Sequence, residues 1–396
     1  MWKRLFMVVA ALALVALPVF SAGQADTATR SAEPIKIGVI QDLSGPGSVL
    51  GTAGLNGSQL AVDDINAKGG INGRMLQLVP YDIKSDPNEA INAFKRLADV
   101  DRVVAVLGPP LSNIGLATAP VTTEKKLAFL GMFGDPRCML GEKMDTLNPY
   151  MFLMQPSTQQ TAITTGAYLV ERLGLKKIAI LAAQDHAYVV SMANFFKEYA
   201  KSHGIEIVAE EWNKQADIDM KAQLAKIKQS GAEALFNSNP TQPLVASTSQ
   251  AYQLGLNIPM TGSLDFSAPF ASLVSDPRMA NNIYFVNNVD ENDPALQGIR
   301  EAYKAKFKSE PTRISYLGYD EVLILVEAIK QAGSTDREAI RDALENKIND
   351  LPLSTGVFSM DPKTHMPIGL TMVVYKIENG VYKVMERFVP EVLKKK

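Results

Sequence analysis

Cysteine is almost missing from this chain of 396 residues. Cys138 stands alone, which excludes an internal disulfide and any multi-cysteine metal site. The histidines, His186, His203 and His365, are too few and too scattered for a His-rich metal site. Neither sign of charge dominates. Forty basic residues stand against 42 acidic ones, a formal charge of −2, so nucleic acid is not an expected partner. Catalytic signatures are missing as well. No serine has the glycines of a G-x-S-x-G elbow, no histidine starts H-E-x-x-H, and no G-x-x-x-x-G-K-S/T phosphate loop occurs. Gly45, Gly47 and Gly51 miss the dinucleotide-binding G-x-G-x-x-G spacing by one residue. Neither an enzyme nor a cofactor is therefore expected.

Long apolar runs are confined to the N-terminus. Lys3 and Arg4 precede an apolar stretch over residues 5–17, broken by Pro18 and followed by small residues. That order is a secretory signal, and the run is too short for a membrane span of about 20 residues. Cleavage is expected after Ser21 or after Ala25, giving a signal over 1–25 and a flexible leader over 26–34. Losing Lys3 and Arg4 lowers the formal charge by two. No later stretch is long and apolar enough to cross a bilayer, so the expected location is periplasmic or extracytoplasmic. The composition, 46% hydrophobic and 21% charged, is that of a globular protein. The length suits two domains of roughly 150–200 residues.

What is present is an alternation of short apolar runs and amphipathic stretches. Strands are expected at 35–40, 75–81, 103–107 and 127–131, with a helix over 52–68 closed by Gly69-Gly70. Asp86-Pro-Asn-Glu89 reads as a helix start, with Asp86 as cap and Pro87 in the first turn. Ser112 stands where another helix begins. A second series follows, with strands at 178–181, 205–209, 234–236 and 258–261 and helices at 158–172, 190–202, 219–230 and 242–254. Helices over 294–308 and 316–331 precede two strand-like runs joined by Asn379-Gly380, a hairpin signal. The fold class is α/β, two Rossmann-like units with parallel-rich sheets. In such sheets, ligands sit beyond the carboxyl ends of strands, where helix N-termini present free N–H groups. The segments there mix hydroxyls, amides, acids and apolar groups, which suits a small zwitterion or carboxylate.

Several runs also carry a family resemblance. They are Ile37-Gly-Val-Ile-Gln-Asp-Leu-Ser-Gly-Pro46, Asp64-Ile-Asn-Ala-Lys-Gly-Gly-Ile-Asn-Gly73, Tyr81-Asp82 with Asp86-Pro87, Val106-Leu-Gly108 before Ser112, Gly255-Leu256, and Gly318-Tyr319-Asp320. Residues 35–389 resemble the type I periplasmic solute-binding proteins of the branched-chain amino acid class, the ligand-capturing components of ATP-driven importers. The resemblance implies two lobes joined by three crossings, near 153–156, 284–288 and 355–358. One lobe would combine 35–153 with 288–355, the other 154–287 with 356–396. It also implies a small-molecule ligand, a membrane permease of an ABC importer as partner, and a monomer. A ligand-sensing module reporting to a membrane sensor is the alternative reading.

Site positions follow residue by residue from the resemblance. Ser112 matches the serine that binds the ligand carboxylate, with Asn113 beside it offering a backbone N–H. Phe133 falls where a backbone carbonyl meets the ligand ammonium. Asp135 replaces a threonine and would pair with an ammonium. Leu50 stands at an aromatic wall position. The family's acidic partner of the ammonium falls at Leu264, with Asp265 next to it. Its cleft tyrosine falls at His186, Ala187 or Tyr188. Ser85 and Leu111 occupy the positions of a disulfide found in many relatives. Each position also has a structural reading: a helix cap for Ser112 and Asp265, a turn for Asp135, core packing for Phe133 and Leu50, a surface loop for His186 and Tyr188. The substitutions suit an amino acid other than plain leucine, or a related small carboxylate or amide.

Overall fold

The computed structural model describes residues 33–394, so the expected signal and most of the leader lie outside the described residues. The first series runs β1 (Ile35–Gln41), α1 (Ser48–Ala67), β2 (Leu76–Asp82), α2 (Pro87–Arg96), β3 (Val106–Leu107), α3 (Ser112–Lys125), β4 (Phe129–Gly131), α4 (Arg137–Leu140) and β5 (Met151–Leu153). Its strands pair in parallel in the order β2-β1-β3-β4-β5. In β1 only Lys36 is exposed, as a strand covered on both faces requires.

The second series is α5 (Thr158–Glu171), β6 (Lys177–Ala183), α6 (Ala187–Ser202), β7 (Glu206–Asn213), α7 (Lys221–Gln229), β8 (Ala234–Ser238), α8 (Thr241–Gln253), β9 (Met260–Gly262), α9 (Phe270–Leu273) and β10 (Ile283–Asn287). Its parallel order, β7-β6-β8-β9-β10, repeats that of the first sheet. The chain then returns. In α10 (Gln297–Phe307), α11 (Arg313–Ala332) and α12 (Arg337–Asn346), residues such as Leu317, Leu325 and Ile340 share one core with Ile37, Val39 and Leu130. A small hairpin, β11 (Leu351–Leu353) with β12 (Gly356–Phe358), closes on that core through Phe358. Finally β13 (Met372–Glu378) and β14 (Val381–Phe388) extend the second sheet antiparallel to β10. Asn379 and Gly380 both have positive φ, 49° and 79°, and place Glu378 opposite Val381 as the hairpin signal predicts.

Three local differences have clear causes. α1 starts at Ser48, four residues earlier than its apolar spacing predicts. The Asp42 carboxylate accepts the N–H of Gly45 and of Gly47, each at 2.6 Å, and winds the preceding loop into the helix. The expected crossing at 284–288 is largely strand β10, and the chain leaves the second sheet after it. The expected crossing at 355–358 falls in the β11–β12 hairpin, and Met360 is still part of the first core. Ser85 and Leu111 form no disulfide. The Ser85 hydroxyl instead donates to Asp42, which fastens the same loop.

The Asp64–Gly73 run ends α1 in a tight turn. Gly69, Gly70 and Gly73 all have positive φ, and a Cβ on Gly70 would sit 2.1 Å from the Arg74 carbonyl oxygen. The Asn66 side chain pairs with both backbone groups of Leu76, at 2.8 and 2.9 Å, and so ties the turn to β2. Further up α1, glycines allow helix-to-helix contact with α11. A Cβ on Gly57 would lie 1.9 Å from the Ser315 carbonyl oxygen, and one on Gly318 would lie 2.2 Å from that of Gly54. Among the described residues no helix is long and apolar enough to cross a membrane.

Candidate functional site

Both sheets change winding direction beside their first strand, between β1 and β3 and between β6 and β8. Crevices form at such points, beyond the carboxyl ends. Ser112 follows β3, and His186 with Tyr188 follow β6.

Ser112 is buried at the first position of α3, with Leu111 as the cap residue, so it does not cap its own helix. Its oxygen accepts the N–H of Gly134 at 3.1 Å and of Asp135 at 3.2 Å. That joins the start of α3 to the loop after β4 and leaves the serine O–H as the group free to donate. Asn113 is exposed, and its side-chain oxygen accepts the Ala187 N–H at 3.1 Å, linking α3 to α6. The side chain thus bridges the two halves, and the backbone N–H expected to meet a ligand is separate from that contact.

Asp135 does not have a free carboxylate for an ammonium. It is fully buried, and Arg137 forks onto it through Nε at 3.1 Å and Nη2 at 2.6 Å, with the Arg137 N–H adding a bond at 3.0 Å. The two residues flank Pro136 at the start of α4, so the arginine folds back on its own turn. The Phe133 ring is also committed. It sits in the core with Ile114, Phe129 and Cys138, 5.5 Å from Phe129 edge to face, in space that Gly115 and Gly131 leave open. Leu50 packs partly buried against the first core from α1. Burial pushes the Cys138 thiol well above its ordinary range, which disfavours the reactive thiolate.

The second half contributes His186, Tyr188 and Asp265. The Tyr188 ring lies flat on Gly134, where a Cβ would come within 2.6 Å of it. His186 Nδ1 is buried with no hydrogen-bond partner, and the buried Tyr188 Oη has the Leu264 backbone beside it. Asp265 follows β9 and accepts the Ser263 hydroxyl at 3.0 Å. Burial raises its carboxyl, opposed by His186, Ser263 and Arg313. Burial lowers the His186 imidazole, opposed by Asp265 and Asp185, which favours the neutral ring.

Three further residues join this group that the sequence did not single out. Arg313 opens α11, and its Nη1 donates to Gln155 Oε1 at 2.8 Å. Gln155 in turn donates through Nε2 to the Met132 carbonyl. Glu291 lies just past β10, where burial lifts its carboxyl to about 7 against the pull of Arg313 and Arg300. Gln155 and Glu291 each stand shortly after a strand end where the chain passes between sheets, and that position is the signal that could have found them. Among the described residues no cluster of His, Cys, Asp or Glu could hold a metal ion. Two open concavities lie elsewhere: a groove of about 520 Å³ beside Pro269, Ala271 and Tyr382, and a hollow of about 230 Å³ beside Phe195 and His203. Neither contains a residue of the cluster. The Tyr188 ring on Gly134 and the Asn113 side chain on the Ala187 N–H bring the two halves together beside the cluster.

Two repeated parallel sheets, three chain passes and polar groups turned inward define a binding fold. Residues 34–381 match the family described as periplasmic binding protein, and the chain belongs to it, in the type I class that includes the branched-chain amino acid binders. A relative in Brucella abortus, Leu/Ile/Val-binding protein homolog 7, is 28% identical over 346 residues, covering 84% of this chain and 85% of that protein. The leucine-, isoleucine-, valine-, threonine-, and alanine-binding protein of Pseudomonas aeruginosa is 25% identical, covering 84% of this chain and 87% of that one. The crystal structure of the substrate-binding protein LivJ from Streptococcus pneumoniae, in complex with isoleucine, superposes with a TM-score of 0.79 at 28% identity. That match covers 89% of this chain and 99% of LivJ. The family binds substrates and does not turn them over.

Proposed function

We propose that the protein is exported, captures a small amino acid or related carboxylate or amide between its two sheets, and delivers it to an ATP-driven membrane importer. The reading rests above all on membership of the binding-protein family over residues 34–381, supported by the Tyr188 ring meeting the loop that Ser112 organises and by the buried His186 ring nitrogen, which has no hydrogen-bond partner. Polar atoms buried without partners are costly, and a polar ligand would satisfy them. In this reading the lobes are 35–153 with 288–355 and 154–287 with 356–396, except that the last crossing falls later, since Phe358, Met360 and Met366 pack with the first series. A solute touching both lobes favours the closed form because only that form offers it every contact. Ser112, His186, Tyr188 and Asp265 contribute side chains, Asn113 its backbone N–H, Phe133 its backbone carbonyl and Leu50 an apolar edge, while Asp135 is spent on Arg137 and on the loop.

The test is calorimetry and thermal shift against amino acids, aromatic carboxylates and small amides. A ligand at 100 times its Kd should stabilise the protein by about 2.7 kcal/mol. A panel in which nothing shifts the melting point removes the solute-capture reading. Co-purification with a sensor in place of a permease would redirect the output from import to signalling.

A further inference from the structure

The cluster between the sheets contains the Arg313 guanidinium, with Arg300 at its edge on the Glu291 carbonyl. A guanidinium carries five N–H donors, and at Arg313 only Nη1 has an acceptor, the Gln155 side-chain oxygen at 2.8 Å. Among the described residues no Asp or Glu oxygen comes within 4.0 Å of it, although Asp265 and Glu291 are close enough to feel its charge. Other arginines in the chain are better served. Arg137 forks onto Asp135, Arg341 pairs with Glu345, and Arg337 donates to the carbonyls of Val103 and Ala98. Arg313 is also held rigidly. It is the first residue of α11, whose backbone is pressed onto α1 at Gly57 and Gly318. Tyr188 lies beside it, and His186 in the same cluster has a buried ring nitrogen without a partner.

We propose that Arg313 reads a carboxylate at the far end of the bound solute, so that the solute is a small dicarboxylic acid or an acidic amino acid. One carboxylate meets the start of α3 at Ser112, and the second meets the guanidinium. This rests on the reading that a solute binds between the sheets. A guanidinium matches a carboxylate with paired N–H bonds, whereas an aliphatic side chain at the same place would take water from the half-buried cation and give it no partner. Asp265 divides the two solute types. It suits an ammonium, which an acidic amino acid has and a plain dicarboxylate lacks.

Calorimetry with L-glutamate, glutarate, phthalate, L-glutamine and L-leucine tests this on the wild type, Arg313→Gln and Arg313→Lys. At least one of the three acids should bind the wild type. L-Glutamine, which replaces the distal carboxylate by an amide, should bind weaker than L-glutamate by roughly 10-fold or more. Arg313→Gln should weaken the bound acid roughly 30-fold or more, with Arg313→Lys in between, while the ligand-free melting point does not fall. Binding of L-leucine or L-glutamine as tight as that of every acid, or an acid affinity unchanged in Arg313→Gln, overturns the assignment and leaves solute capture standing. Silence from these probes and from the wider amino acid and carboxylate panel ends both.

Discussion

Replacing Ser112 by alanine takes away the oxygen that accepts two backbone N–H groups, those of Gly134 and Asp135, as well as a hydroxyl able to donate to a ligand. Ser112→Ala should therefore cost the ligand-free protein about 1–3 kcal/mol in denaturant unfolding, and should also weaken binding. If affinity is unchanged while stability falls, the hydroxyl only organises the loop. Glu291 makes a prediction of opposite pH sense to an ordinary paired carboxylate. Its folded value of about 7 lies above the usual 4.5 because burial disfavours its charge. The folded chain thus holds this proton more tightly than the unfolded one. The contribution is complete below about pH 4.5 and is lost as pH rises through about 7. Relative to Glu291→Gln, the wild type should lose on the order of 3 kcal/mol across that window. A constant difference between the two proteins over that window rules out the buried, proton-holding carboxyl. At this scale the sequence exposed the candidates that follow strand ends, Ser112, His186, Tyr188 and Asp265. It hid Arg313, whose role depends on where a distant helix start is carried. It also could not reveal that Asp135 is neutralised by Arg137, because charge alone does not say which way a side chain turns.

The contact of α1 with α11 depends on residues too small to obstruct it. Gly57→Ala places a methyl 1.9 Å from the Ser315 carbonyl oxygen, so the helices must part. A loss of about 1–3 kcal/mol or more is expected in chemical denaturation, together with weaker ligand binding, because α11 carries Arg313. Wild-type stability in this variant would mean that the helices do not touch there. Elements with strong local chemistry were legible in advance. The Asp86 side chain accepts the Asn88 and Glu89 N–H groups as a cap should, and Asn379-Gly380 turns the last hairpin. The three-residue strand β5 was not legible, since Met151-Phe-Leu153 is too short to display a period. In α12 the signal existed, in the Asp336 cap and in Ile340, Ala343 and Leu344 on one face, but only over ten residues. The run from Asp64 to Gly73, which carries much of the family likeness, proves to be a turn. It identifies the scaffold and has no bearing on which solute is held.

Taken whole, the molecule repeats one strand order in two sheets, and that duplication was readable from the alternation of apolar runs. The positions of the chain passes were less readable, because the hairpin β11–β12 and strand β10 look like connecting segments in sequence while packing as part of a core. If the two halves hinge on a solute, small-angle scattering should show a smaller radius of gyration once a binding ligand is added. An unchanged radius with ligand bound would argue for a rigid receptor. The interleaving of the chain has a separate consequence for how the protein comes into being. The apolar face of β1, β3 and β4 is covered by Leu317, Leu325 and Ile340, which are synthesised only after the whole second series. A nascent chain emerging N-terminus first therefore carries an uncovered sheet until α11 arrives. A stop codon anywhere before Arg313 should yield an aggregating fragment, with no independently folded half-protein, and the full-length chain should depend on a holding chaperone until its last quarter is made.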